Sequence, residues 1–317
     1  MTRPVLKRRP VLSGLMGGLL GRQALAAEPL FSWPDFPETV SLWSGSSPAG
    51  PGPEGRPIVS ARGSATDIAR PVLGVFRPAR PNGAAVLIAA GGGYRHLNLG
   101  SEAMPAARWL NTLGVTAFVL VYRLPREGWT NTAMAPFQDV QRAVRLVRAR
   151  ASTYGIDPGR IGGLGFSAGG HLIGLHAVRQ DWPAGQPVDP IDRVPDRLNA
   201  VMLLYPVVTL ESPFGHTQTR RQLLGEWPDA AACAAWSIQT YIRAGDAPFF
   251  LAQAEDDPIA NPENTAILTD ACRARGVPVE RHLYPDGGHG FGMGRPGTPT
   301  MAWPGQAYRW MRLRRLI

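Results

Sequence analysis

The chain has 317 residues, 44% of them hydrophobic and 18% charged, the balance of an ordinary soluble globular protein with length enough to bury an ample core. Its formal charge of +9 does not mark a nucleic-acid binder: Arg3, Lys7, Arg8, Arg9 and Arg22 supply positives ahead of the first acid, Glu28, and Arg309, Arg312, Arg314 and Arg315 sit together near the C-terminus. No basic stripe is interleaved with aromatics, so nucleic-acid binding is excluded.

The first residues read as an export signal. Basic Lys7-Arg8-Arg9 precede a short apolar, glycine-containing run over 11–20, and Ala24-Leu25-Ala26 fits a small-x-small cleavage site. The adjacent Arg8-Arg9 favours a twin-arginine route. Residues 1–26 are therefore expected to be a cleaved signal peptide and the mature chain periplasmic or secreted. The apolar run is too short to span a bilayer, and no other window comes close. Residues 27–70, rich in Pro, Gly and Ser, read as an irregular N-terminal arm.

From residue 71 to 317 strand-like and helix-like runs alternate. Strands are expected over 72–76, 85–89, 117–122, 160–165, 200–205, 249–254 and 279–284, and helices over 102–113, 134–154, 168–179, 261–275 and 302–315. Phe137, Val140, Val144 and Val147 recur at helical spacing. Several strands are apolar throughout, as expected when helices cover both faces of a mainly parallel sheet. The irregular section over 209–247 reads as a short cap insertion above the sheet edge rather than a separate domain.

Chemistry concentrates in three places along this alternation. Gly165-Phe166-Ser167-Ala168-Gly169 stands between a strand and a helix, where small flanking residues let a serine be lifted clear of the sheet in a strained turn, with a helix N-terminus behind it. A serine hydroxyl needs a base to act as a nucleophile. Among the histidines, His171 and His176 lie on the following helix and point back into the fold, His96 lies in an upstream loop, His216 in the cap section and His282 within a strand. His289, in the loop Asp286-Gly287-Gly288-His289-Gly290-Phe291-Gly292 after the last strand, is positioned to reach Ser167 over the sheet's C-terminal edge. An orienting acid belongs between them, at the end of the preceding strand. Glu255-Asp256-Asp257 stands there, with Asp257 preferred over Asp256 because it precedes the turn-forming Pro258. Gly91-Gly92-Gly93-Tyr94 follows another strand directly, and the amides of Gly92 and Gly93, with that of Ala168, are expected to bind a developing oxyanion. No metal or cofactor is called for. Cys233 and Cys272, the two cysteines, match no metal or redox spacing and are expected as separately buried thiols.

In this arrangement the sequence resembles the α/β-hydrolase fold, in particular the acetyl esterase/lipase group related to bacterial acetylxylan and feruloyl esterases. The resemblance covers most of the mature chain: Leu42-Trp43 through Pro48, Gly91 to Tyr94, Tyr122-Arg123-Leu124-Pro125, Gly165 to His171, Tyr205-Pro206-Val207, Leu223-Leu224-Gly225, Asp257 and Gly288-His289-Gly290-Phe291 fall in family order. It implies a Ser167–His289–Asp257 triad and esters of small acids on carbohydrates as substrates. Two departures stand out: Ala90 replaces the histidine that hormone-sensitive-type lipases carry before the glycines, and Ser44 replaces a proline after Trp43. Tyr94 and Trp129 are candidate substrate-binding residues, and Trp129, with Trp227 and Trp236 of the cap section, either stacks on a sugar ring or, as such tryptophans more often do, belongs to the core. A short-chain lipase or peptidase on the same fold, or a noncatalytic carbohydrate-binding relative, are the alternatives. Oligomeric state is not specified by the sequence.

Overall fold

The computed structural model describes residues 1, 33, 35–45, 47–48, 50–180, 182 and 187–317. Apart from Met1, the expected export signal over 1–26 lies outside the described residues. Eight strands form the central sheet: β1 (Glu38–Ser41), β2 (Val72–Phe76), β3 (Ala85–Ala89), β4 (Thr116–Val121), β5 (Ile161–Phe166), β6 (Ala200–Leu204), β7 (Phe249–Ala254) and β8 (Val279–Tyr284). Their order across the sheet is β1-β2-β4-β3-β5-β6-β7-β8. β1–β2 and β2–β4 pair antiparallel, and every later pair is parallel. The six strands from β2 to β7 are buried along their whole length, while the edge strands β1 and β8 are mostly half-buried. Continuous Val, Leu, Ile, Phe and Ala suit strands covered on two faces.

Five of the helices cover those faces. α1 (Met104–Thr112) and α7 (Trp303–Leu313) meet on one side through Trp109 and Trp303, whose ring centroids are 5.2 Å apart. On the other side α2 (Ala135–Ala149) packs against α3 (Ala168–Val178), with Phe137 edge-on to His171 at 6.0 Å, and α6 (Glu263–Ala274) lies along β8. The cap section carries two short helices, α4 (Gln218–Leu224) and α5 (Ala230–Ala235), capped by the Thr217 and Asp229 side chains. No helix among the described residues is long and apolar enough to cross a membrane.

Three sequence expectations shift. The arm is not wholly irregular, since it supplies β1 and two strands (Ile58–Val59, Ser64–Thr66) of a small antiparallel sheet completed by Leu97–Asn98. The helix expected from residue 102 is preceded by a π-helical turn, Leu99–Ala103, so Glu102 sits in that wider turn. The helix expected over 134–154 breaks at Arg150, after which Ala151–Tyr154 forms a separate turn. Cys233 and Cys272 are both buried and unbonded.

The sheet order decides where chemistry can collect. β3 lies between β4 and β5, so the connections from its C-terminal end diverge to opposite faces and leave a crevice there. Ala89 of β3 pairs with Gly165 of β5, which makes the loop after β3 and the turn after β5 emerge side by side.

Candidate active site

Ser167 occupies the single residue between β5 and α3, with φ 50° and ψ −116°. A side-chain-bearing residue held in that region is strained and persists only where the surroundings dictate it. Here they do: Ser167 N–H donates to Leu204 O at 3.0 Å, and its carbonyl accepts the His171 N–H at 3.1 Å. The tightness of the turn depends on two glycines. A Cβ on Gly165 would stand 2.4 Å from Gly169 O, and one on Gly169 would stand 2.2 Å from Ala89 O.

The Ser167 Oγ lies 2.9 Å from His289 Nε2, and His289 Nδ1 lies 2.8 Å from Asp257 Oδ2. A carboxylate oxygen only accepts, so Nδ1 carries the ring proton and Nε2 is left to accept from the serine hydroxyl. The Asp257 side chain is fully buried, whereas that of His289 is 18% exposed. Asp257 is held by four donors: His289 Nδ1–H and Gln253 Nε2–H on Oδ2, with the N–H groups of Ile259 and Ala260 on Oδ1 at 2.8 and 2.9 Å. Asp256 instead accepts the Gly288 N–H at 2.7 Å and so shapes the histidine loop without touching the imidazole.

The glycine loop after β3 presents its amides in fixed planes. Asn98 N–H donates to Gly91 O and Arg95 N–H donates to Gly92 O, both at 3.0 Å. In a trans peptide the N–H points opposite to the carbonyl, so these bonds set the directions of the Gly92 and Gly93 N–H groups. Among the described residues neither of those donors, nor the N–H of Ala168 at the start of α3, has a protein acceptor. Gly92 has φ 122°, and a Cβ there would collide with His96 O at 2.1 Å. Gly91 N–H, by contrast, is bonded at 2.6 Å to Oε2 of Glu102. Burial pushes the Glu102 carboxyl up to about 7, against the bonds from Gly91 and Tyr205 and the nearby His289, which lower it.

The family-model match extends over residues 73–272 and is to BD-FAE. The chain belongs to the BD-FAE family. It is similar, at 31% identity over 223 residues, to an acetylxylan esterase of Xylanibacter ruminicola, with 69% of this chain and 43% of that protein aligned. A second relative, endo-1,4-beta-xylanase B of Butyrivibrio fibrisolvens, is 32% identical over 65% of this chain and 32% of its own length. The chain thus spans less than half the length of these two relatives. Among solved structures, an acetyl ester-xyloside bifunctional hydrolase of Caldicellulosiruptor lactoaceticus superposes with a TM-score of 0.72 at 32% identity, covering 88% of this chain and 97% of that one. The esterase Est2 of Thermogutta terrifontis shares the fold, with a TM-score of 0.65 at 23% identity over 81% of this chain and 93% of its own. The fold is that of the α/β-hydrolases.

Within this BD-FAE domain two expected substrate contacts lie elsewhere. Tyr94 is 1% exposed, and its hydroxyl bonds inward to His171 Nδ1 at 3.1 Å. Trp129 is 4% exposed, beneath Gly52 and 4.9 Å from the Arg123 guanidinium. Both rings are large and apolar, and the arm and α3 give them somewhere to be buried. Trp236 packs between Phe137 and Trp182 at 5.1 and 4.5 Å, while Trp227, in the α4–α5 loop, is 96% exposed. His171 and His176 are buried as expected, each facing a backbone carbonyl through Nε2, and burial lowers both from the ordinary histidine value. Glu102 was not singled out by the sequence. Its one signal is an acid at the head of an otherwise apolar segment, eleven residues after Gly91. Among the described residues no group of three His, Cys, Asp or Glu side chains is arranged to hold a metal ion.

Proposed function

We propose that the protein is an exported serine carboxylesterase that removes small acyl groups, acetyl foremost, from carbohydrate esters. The observation that carries this reading is the relay Ser167 Oγ–His289 Nε2 at 2.9 Å and His289 Nδ1–Asp257 Oδ2 at 2.8 Å, beside three amides without protein acceptors among the described residues. Ser167 Oγ attacks the ester carbonyl carbon and gives its proton to His289 Nε2, while Asp257 holds the imidazolium. The carbonyl oxygen becomes an oxyanion facing the Gly92, Gly93 and Ala168 N–H groups, each worth about 3 kcal/mol of transition-state stabilisation. Collapse breaks the ester C–O bond, and the sugar oxygen leaves with the proton from His289. Water then gives a proton to His289 as it attacks the acyl-serine. Collapse of that second intermediate returns the proton to Ser167 and releases the acid.

The substrate class rests on the relatives, two of which are named acetylxylan esterase and acetyl ester-xyloside bifunctional hydrolase. Export rests on the features of residues 1–26. Ser167→Ala and His289→Ala are expected to lower kcat on 4-nitrophenyl acetate by about 10⁴-fold or more. Near-wild-type turnover in either folded variant rules the reading out. Acetate release from acetylated xylan, acetylated pectin and simple acetyl sugars, assayed side by side, tests the substrate class. A rate maximum at long acyl chains identifies a lipase instead, and failure of an organophosphonate to label Ser167 identifies a noncatalytic protein.

A further inference from the structure

We infer that Glu102 is a positioning residue for ester cleavage, a buried carboxylate that ties the oxyanion loop to the histidine loop and sets both for the transition state. The inference rests on the esterase reading above and adds a residue to it.

Glu102 is 3% exposed, and among the described residues no arginine or lysine forms an ion pair with it. Its Oε2 accepts the Gly91 N–H at 2.6 Å, and its Oε1 accepts the Tyr205 hydroxyl at 3.1 Å. The Tyr205 oxygen in turn accepts the Gly292 N–H at 3.1 Å, three residues beyond His289. The Tyr205 ring lies 5.0 Å from the His289 ring and 4.5 Å from Phe291. A continuous chain of contacts therefore runs from the residue before the candidate oxyanion amides to the residues around the general base. Gly91 is fixed on both sides, since its N–H is held by Glu102 and its carbonyl by Asn98. The Asn98 bond sets the peptide plane that carries the Gly92 N–H, and the Glu102 bond holds the plane before it, so together they restrict rotation about Gly91.

A carboxylate buried without a cation is costly to ionise, and a glutamine of the same size removes that cost. The ionised form has a use that glutamine cannot supply. Both of its oxygens accept, so one group takes the Gly91 N–H and the Tyr205 O–H together. Protonation turns one oxygen into a donor, and Tyr205, already accepting from Gly292, then loses the acceptor for its own proton. The titratable groups facing Glu102 are Tyr205 from the loop after β6, Tyr122 from the end of β4 and His289 from the loop after β8. Only the histidine among them can become a cation, which it does in the attack step. The carboxylate thus faces a charge that appears during the reaction.

The test uses the full chain and 4-nitrophenyl acetate. Glu102→Gln is expected to lower kcat by about 10- to 100-fold with KM within about twofold, the signature of an interaction made in the transition state. Its melting temperature at pH 8 is expected to equal or exceed that of wild type, because the buried charge is gone, whereas a merely structural carboxylate would lose stability and activity together. Below pH 7 the wild-type rate is expected to fall more steeply than that of Glu102→Gln, which has no such proton to gain. Tyr205→Phe should act in the same direction, and the double variant should lose less than the product of the two single losses. A folded Glu102→Gln with kcat within twofold of wild type overturns the inference. So does a loss confined to KM, or one that tracks a fall in melting temperature. Should Glu102→Gln fail to fold, Tyr205→Phe decides by the same kcat criterion. Inert wild type sinks the esterase reading itself, while active wild type with an equally active Glu102→Gln sinks the positioning role alone.

Discussion

The segment after β4 and the turn after β5 are separated in the sheet by β3 alone, and both bury polar groups, yet they finish differently. After β4, the Arg123 guanidinium and Asp139 are fully buried and meet at 2.8–3.0 Å. Asp139 also accepts the Arg123 backbone N–H and Trp43 Nε1–H, while Arg123 reaches Pro48 O, Ala135 O and Gln138 Oε1 and lies over the Trp43 and Trp129 rings. The network closes on itself and clamps the N-terminal arm to α2. After β5, Ser167 is held at a strained φ, and among the described residues neither the N–H of Ala168 nor those of Gly92 and Gly93 in the adjoining loop after β3 have a protein acceptor. Polar groups satisfied by one another hold structure together, and polar groups left waiting are suited to a ligand or a transition state.

Substitutions can break this contrast at either end. After the Ser167 and His289 variants, the largest effect is expected at Asp257: Asp257→Asn should lower kcat by about 10⁴-fold, by removing the acceptor that fixes the His289 tautomer. Asp256→Asn, which keeps an oxygen for the Gly288 N–H, should lose less than about tenfold. Equal losses in the two variants would erase the distinction drawn between these neighbours. In the closed network Asp139→Ala should cost about 3–5 kcal/mol of unfolding free energy in urea titrations, because it strands a buried guanidinium. The folded fraction should retain most of its kcat, and a collapse of kcat without loss of stability would show that the two regions are not separate.

A smaller, pH-dependent effect is expected from His171. Burial lowers it from 6.5 to about 4. As pH falls, the unfolded chain takes up this proton before the folded one, so its stabilising contribution is whole above pH 6.5 and is lost toward pH 4, at up to about 1.4 kcal/mol per pH unit. Glu102, raised from 4.5 to about 7, works in the opposite sense over the overlapping window. The quantity to measure is therefore the difference in unfolding free energy between wild type and His171→Gln. That difference should shift against wild type as pH is lowered from 7 to 4.5, and one that stays constant with pH contradicts the account.

Much of the candidate site is legible in residue order because its parts are local. A serine between small residues at a strand end, a glycine triplet after a strand and a histidine in a glycine loop each declare themselves within a few positions. Asp257 could be narrowed only to a pair, since the choice turns on which carboxylate points at the imidazole, a matter of loop geometry after β7. Glu102 escaped because its partner Tyr205 is 103 residues away and no spacing announces the contact. For Tyr94 and Trp129 residue order leaves substrate contact and core packing both open, because loop aromatics near the candidate serine suit either. Their burial depends on His171 and on the folded arm, which composition alone describes as irregular. The break at Arg150 and the π-helical turn before α1 escaped as well, being adjustments of helix packing that leave no mark on the apolar pattern.

The close approach of backbone around Ser167 also limits how the protein can change. A Cβ at Gly91 would stand 2.8 Å from Ser167 Cβ, and those at Gly165 and Gly169 would strike carbonyl oxygens at 2.4 and 2.2 Å. Randomised libraries selected for folding are expected to recover glycine at these positions, because every alternative displaces backbone beside Ser167. The α4–α5 segment carries no such restriction at Trp227, which stands in solvent. Tolerance to substitution is therefore spatially divided in this molecule, between a floor where backbone packs on backbone and an exposed segment with room for side chains.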